Sequence, residues 1–415
     1  MFLAHGEINM KTDDISSLGI VPEEYDSRIM ESIDFVSLHS EMNDTERRFV
    51  NGLIRYYRPK SLIELGVSYG GGSVNILNAI SDSTNAELVS IDKMEYYYRD
   101  ESFPVGHAVS EAFPDLAENK WSLITGKDVS EVMGYLDKTY DFAVIDTSHA
   151  HPIESLNFLC LLPYIRNGAI VILHDVALFL KVERYKRAHF FTGLAPRVLA
   201  ISMVGSKLYP RSKSSDYVSI TEPVNNIIAL QITEETRQNI GNCFMSLMLP
   251  WEIFPFDDIQ NVRNCLKRNY PTDLLDIFDE AVRLNFAWTV SNGRSFSIDR
   301  QKTKILDLPE NAVFYGAGQN MKKILCLYDA VGIQFNHEIW DINAGKIGRI
   351  LGHEISYPDF DTRKSEKRTL VITISDKQIA NSVSDRFHTL GWNVIRGAEV
   401  LFGKGEHEGT FLENA

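Results

Sequence analysis

Residues 61–80 read SLIELGVSYGGGSVNILNAI, and the order of residue types here decides the fold. A short apolar run carries Glu64 near its end, Gly66, Gly70, Gly71 and Gly72 crowd the loop, and a helical segment starts near Ser73. Glycines between a strand and a helix let the backbone approach a ligand with no Cβ in the way. A phosphate would call for GxxxxGKS/T or GxGxxG, and neither is present. Glu64 would repel phosphate; it suits a cationic ligand, or one with amino and hydroxyl groups to donate.

Outward from this stretch the same alternation continues to about Val176. The runs SLIEL, ELVSID, WSLITG, FAVID and AIVILHD are separated by GSVNILNAIS, HAVSEAFPDLAEN, DVSEVMGYLD and HPIESLNFLCLLPYI. Near-continuous apolar strands alternating with helices predict a parallel sheet covered on both faces. Upstream, EMNDTERRFVNGLIRYY has helical spacing with Asn43 or Thr45 as cap, inside an acidic, helical lead-in over 1–60. Downstream, NNIIALQIT reads as a strand, TEETRQNIGNCFMSLML and PTDLLDIFDEAVRLNFAW as helices, and 204–219 as a polar surface loop. SNGRSFSIDRQKTKI (291–305) reads as a linker, placing a boundary near 300. Beyond it a second βαβ pattern starts, with NAVFYGAGQNMKKILCLYDAVG, HEIWDI, TLVITIS and NVIRG. The expected class is α/β: a Rossmann-like sheet with helical additions over 61–300, then a smaller Rossmann-like domain over 301–415.

The chain has 415 residues, 44% apolar and 24% charged, with net charge −14. That balance argues against sequence-independent binding to nucleic acid, which needs a Lys/Arg surplus. Cys160, Cys243, Cys265 and Cys326 show no CxxC pairing, so neither a thiolate metal site nor a disulfide scaffold is expected. No apolar run is long enough to span a bilayer and the opening residues lack a signal-peptide core, so the cytoplasm is the expected compartment.

The second strand ends in Asp92, the distance downstream at which a βαβ unit presents an acid to ribose hydroxyls. With Glu64, it points to a nucleoside that carries an amino acid and a positive charge but no phosphate. S-adenosylmethionine fits. At this point IELGVSYGGGS, LVSID, DFAVIDTSHAHP and LPYIRNGAIVILHDV, in this order over Ser61–Val176, resemble the class I S-adenosylmethionine-dependent methyltransferases. The likeness is to the branch that modifies sugar or macrolide hydroxyls and often uses a divalent metal. The loop ELGVSYGGG departs from the commoner E-x-G-x-G-x-G form but is similar to that branch. The resemblance implies that Glu64 and Gly66 lie along the methionine part of the cofactor and that Asp92 takes the ribose. Gly126, Lys127 and Asp128 would border the adenine, and Ser68, Gly70, Gly71, Ser73 and Asp146 would complete the cofactor's surroundings.

Methyl transfer from a sulfonium needs alignment and a route for the acceptor's proton. VIDTSHAHP offers Asp146, His149 and His151, and ILHDV offers His174 and Asp175, at neighbouring strand ends. His149 is the expected general base, since an unperturbed imidazole titrates near neutrality. His151, directly before Pro152, reads as a loop or capping residue. Metal-using relatives place acids where Asp146 and Asp175 stand, so Asp146, His174 and Asp175 are the candidate ligands of a divalent cation, Mg²⁺ or Mn²⁺.

In the second domain GAGQNM lacks the third glycine of a dinucleotide fingerprint. The stretch 340–360 is similar to small Rossmann-like domains of sugar-modifying enzymes, which implies a nucleotide-sugar site at Gly316, Gly318 and Asp341. An empty structural or dimerising crevice and an NAD site remain as alternatives. The expected function is O-methylation of a small-molecule or sugar-linked acceptor in a glycan or nucleotide-sugar pathway, by a chain able to form a homo-oligomer. C- or N-methylation stays open. So do a non-catalytic module that binds S-adenosylmethionine or a nucleotide sugar, and an NAD-dependent sugar oxidoreductase.

Overall fold

The computed structural model describes residues 41–136, 138–178, 193–210, 224–291, 305, 308–330, 333–359 and 368–397. Most of the lead-in, most of the 204–219 loop, and nearly all of the linker lie outside the described residues. Contacts divide the chain into two units, the first holding residues 41–253 and 258–281, the second 254–257 and 282 onward. The division falls earlier than the boundary near 300.

In the first unit, α1 (Asp44–Tyr57) starts with a reciprocal cap: Asn43 accepts from the Glu46 N–H while Glu46 accepts from the Asn43 N–H. Its buried stripe of Phe49, Val50, Leu53 and Ile54 follows helical spacing. Each such side chain taken from water is worth roughly 1.5–3 kcal/mol. Arg58, in the left-handed region at φ 49°, ends the helix and turns the chain into β1 (Ser61–Leu65).

The elements that follow are α2 (Gly71–Ala79), β2 (Glu87–Asp92), α3 (His107–Ala112), α4 (Pro114–Lys120), β3 (Trp121–Thr125), α5 (Val129–Val132), β4 (Tyr140–Ile145), α6 (Ile153–Leu161) and β5 (Ile165–Leu173). After them come α7 (Ala195–Ser202), β6 (Lys207–Leu208), β7 (Ile228–Gln231), α8 (Glu234–Gln238), α9 (Gly241–Ser246), α10 (Ile259–Asn269) and α11 (Thr272–Ser291), whose residues from 282 on belong to the second unit. The sheet order is β3-β2-β1-β4-β5-β7-β6. β1 to β5 pair in parallel, as expected; β7 runs antiparallel to β5, and the two-residue β6 antiparallel to β7. The strand order reverses between β1 and β4, and a crevice opens beyond their carboxyl ends.

Several helices differ from the sequence reading. α2 starts at Gly71 rather than near Ser73, DVSEVMGYLD yields one turn, and TEETRQNIGNCFMSLML breaks into α8 and α9. Thr233 and its capping box start α8, whereas α9 opens without a side-chain cap.

The second unit contains β8 (Val313–Tyr315), α12 (Gln319–Ala330), β9 (Glu338–Trp340), α13 (Ala344–Ile347), β10 (Arg349–Ile350), β11 (His353–Ser356), β12 (Thr369–Ile372), α14 (Lys377–Thr389) and β13 (Asn393–Arg396). Its sheet order is β10-β11-β9-β8-β12-β13, parallel except for the β10–β11 pair. A mixed α/β chain with two sheets is thus established. No described helix is long and apolar enough to cross a membrane.

Candidate functional site

A cavity of about 720 Å³ lies over the carboxyl ends of β1, β2, β3, β4 and β5. Its walls include the loop after β1 with Gly66 and Ser68, Asp92 at the end of β2, Lys127 and Asp128 after β3, Asp146 and His149 after β4, and Asp175 after β5.

The loop after β1 is fixed by its neighbours. Gly66 sits at φ +85°, and a Cβ there would overlap the backbone carbonyl of Asp146, so no side chain fits between the ends of β1 and β4. Gly70, at φ +106°, packs against the backbone of Gly106, whose N–H donates to the Ser68 carbonyl at 2.9 Å. Asp92 completes the clasp: Oδ2 accepts the N–H groups of Val67 at 2.8 Å and Ser68 at 3.0 Å, and Oδ1 accepts that of Met94. The acid expected at the ribose therefore also holds the loop.

Glu64 is buried, with Oε2 accepting from Ser73 Oγ at 2.5 Å and Ser90 Oγ at 2.7 Å. Burial pushes its carboxyl up to about 7, against the two hydroxyls that favour the charged form. Gly71 thus starts α2, and Ser73 in its first turn steadies Glu64. Gly126 takes φ +71° at the end of β3 and Lys127 is exposed. Asp128 caps α5, accepting the Ser130 N–H at 2.8 Å.

Around β4 and β5 the charges are denser. His149 Nε2 lies 3.2 Å from Asp175 Oδ2 and 3.7 Å from Asp146 Oδ1, and Nδ1 lies 3.6 Å from Glu154 Oε1. Glu154 also accepts the His149 backbone N–H at 2.5 Å. Ligand atoms of Asp146, His149 and Asp175 all fall within 4.8 Å of one another, a separation that one bound cation can bridge. His149 thus stands where the sequence reading put His174.

His174 is buried instead between two acids, with Nδ1 3.1 Å from Asp146 Oδ1 and Nε2 3.2 Å from Glu46 Oε2. Burial opposes its protonation, but Asp146, Asp175 and Glu46 outweigh that and hold its pKa well above the usual imidazole value. In return, Asp146, whose burial works the other way, is held below the usual carboxylate range, chiefly by His174. His151 is not a capping residue: it is fully buried, and neither ring nitrogen makes a well-formed hydrogen bond among the described residues.

Ser68, His149 and Asp175 carry φ of +54°, +61° and +55°. Non-glycine residues rarely sit there, and such strain gathers at functional sites. All three line the cavity. The Oγ of Ser68 is buried with no hydrogen-bond partner among the described residues, which leaves one polar atom in the glycine loop for a ligand.

In the second unit the loop after β8 repeats the first clasp. Asp341 Oδ2 accepts the Ala317 N–H at 2.8 Å and Oδ1 that of Asn343 at 2.8 Å. Gly316 sits at φ +113° beside Ile374 and Thr373, while Gly318 faces open space. Sequence reasoning missed Glu46 and Asn226, two buried side chains that reach His174 and Asp175; neither belongs to a local motif.

Residues 63–176 match the model of a family described as a methyltransferase domain. The chain therefore carries a methyltransferase domain, the enzyme class expected from the sequence. No curated protein matches it. Among solved structures it is similar to an O-methyltransferase from Bacillus cereus in complex with SAH, at 14% identity and TM-score 0.35 over 50% of this chain and 91% of that one. It is also similar to the O-methyltransferase TomG from Streptomyces achromogenes, in complex with SAM, at 17% identity and TM-score 0.35 over 51% and 90%. A third is the Podospora anserina methyltransferase PaMTH1, bound to SAH, at 12% identity and TM-score 0.36 over 56% and 99%. At such scores these likenesses carry no functional argument.

Proposed function

We propose that the chain is an S-adenosylmethionine-dependent O-methyltransferase whose acceptor is a sugar hydroxyl in a glycan or nucleotide-sugar pathway. The observation that carries the reading is the cavity itself: glycine-walled at β1, with the unpartnered Ser68 Oγ in one wall and Asp92, Asp146 and Asp175 around it. This lining suits a cationic donor without phosphates. The sugar acceptor rests on the sequence resemblance.

S-adenosylmethionine, when bound, supplies an electrophilic methyl on a sulfonium. The chain's own residues hold and deprotonate the acceptor. Glu64, Gly66, Ser68, Asp92 and the Gly126–Asp128 turn would hold the donor. His149 serves as the base in the tautomer that carries its proton on Nδ1, the nitrogen on the Glu154 side of the ring. Nε2 then faces carboxylate oxygens of Asp146 and Asp175, so a hydroxyl entering among the three donates to one of them. His149 Nε2 takes the proton, and the two acids stabilise the imidazolium that results.

The same convergence favours a second reading. Asp146, His149 and Asp175 fit a divalent cation, Mn²⁺ better than Mg²⁺ given the imidazole, which would lower the hydroxyl's pKa. The test is calorimetric titration of S-adenosylmethionine, followed by methyl transfer to a panel of sugars with EDTA, Mg²⁺ or Mn²⁺. Binding with turnover indifferent to EDTA favours the His149 base; turnover restored by Mn²⁺ favours the cation. No binding at all refutes the donor, and binding without turnover on any sugar refutes the acceptor.

A further inference from the structure

Glu46 is 2% exposed, Asn226 1% and His174 1%, and they come from α1, the segment before β7 and the end of β5. They form one network. Asn226 Nδ2 donates to Asp175 Oδ1 at 2.7 Å and to Glu46 Oε1 at 3.1 Å. Glu46 Oε2 lies 3.2 Å from His174 Nε2, and His174 Nδ1 lies 3.1 Å from Asp146 Oδ1. Asn226 is itself pinned: its Oδ1 accepts the Ala177 N–H and its carbonyl the Val176 N–H, both at 2.9 Å.

A helix cap does not need this. The Asn43 N–H could donate equally well to an exposed Glu or Gln at the same position. Here the capping oxygen of Glu46 is buried and also faces an imidazole, while the other oxygen takes an amide. Burying three acids around one imidazole is costly unless each is held by a donor. Asn226 ties Oδ1 of Asp175 back to the protein, so that Asp175 presents Oδ2 to His149, while Asp146 Oδ1 lies against the His174 ring.

We propose that Glu46 and Asn226 are positioning residues that, through His174 and by direct hydrogen bonding, set the orientation of Asp146 and Asp175 toward His149. The inference rests on the methyl-transfer reading of that site. The test is ¹⁵N NMR of the full chain labelled at histidine, with His149 and His174 assigned by substitution to glutamine.

Glu46→Gln should shift the His149 ring signals, leaving those of His107, His337 and His353 in place. Asn226→Ala should shift His149 as well, although Asn226 does not reach it. His149 signals unmoved in both variants would overturn the proposal, as would all histidines moving together, the mark of a merely structural loss. Should Glu46→Gln not fold, Asn226→Ala alone decides between the same outcomes. Titration of S-adenosylmethionine into each variant should give affinity within threefold of the parent. A parent that binds none refutes the donor reading and leaves the histidine signals to decide the positioning.

Discussion

Replacing His151 by leucine should make the protein less sensitive to acid. His151 is fully buried, and burial pushes its imidazole down to about 4 from 6.5, with the Ser246 backbone helping only slightly in the other direction. A folded pKa below the unfolded one means that the unfolded chain takes up the proton more readily. The stability linked to this ring is fully present above pH 6.5 and is lost as pH falls toward 4. Over the whole window a 2.5-unit shift amounts to about 3.4 kcal/mol, of which about 2.4 kcal/mol falls between pH 7 and pH 4.5.

Leucine has no proton to gain. The carbonyl of residue 151, which accepts the N–H groups of Glu252 and Ile253, keeps its bonds. Urea unfolding of parent and His151→Leu at pH 7 and 4.5 gives four stabilities. Other buried acids titrate in both proteins and cancel in the difference, so the parent should lose about 2 kcal/mol more than the variant. Equal losses would show that the ring is not held neutral by burial.

Gly66→Ala should cost about 3–5 kcal/mol, since a left-handed alanine and an overlap with the Asp146 carbonyl both have to be accommodated. A melting temperature near the parent's would refute the close approach of β1 and β4. Glu64 is raised to about 7, so its stabilising contribution is present below pH 4.5 and is lost as pH rises through 7. Glu64→Gln should spare the protein about 2–3 kcal/mol of that loss between pH 5 and pH 8, read by the same urea assay. Asp92→Ala should weaken S-adenosylmethionine binding by about 1–3 kcal/mol in a calorimetric titration, partly by freeing the Val67 and Ser68 N–H groups. A Cβ at Gly318 meets nothing within 4 Å among the described residues, so Gly318→Val should fold normally; NAD(H) binding by the parent and its loss in the variant would favour the oxidoreductase alternative.

The strands of the first sheet were legible because each is a short apolar run closed by turn residues, and the glycine loop was legible because its spacing is local. What escaped the sequence depends on distance. The antiparallel direction of β7 is set by pairing with β5, from Ile170 opposite Gln231 to Leu173 opposite Ile228, about sixty residues apart. The hairpin of β10 and β11 lay inside a stretch read only for its family likeness. For the site, strand ends announced Asp146, His149 and Asp175. Whether His149 or His174 faces the cavity, however, turns on Glu46, 128 residues from His174, and no spacing rule reaches that far.

The clasp that Asp92 forms with the Val67 and Ser68 N–H groups has a thermodynamic corollary. A loop ordered by its own chain has no conformational freedom left to lose when a ligand arrives. Binding at β1 should then leave no signature of coupled folding: the heat-capacity change should match the apolar area that ligand and cavity wall bury against each other, with nothing added by the loop. The entropy of ordering that loop was spent when the sheet formed.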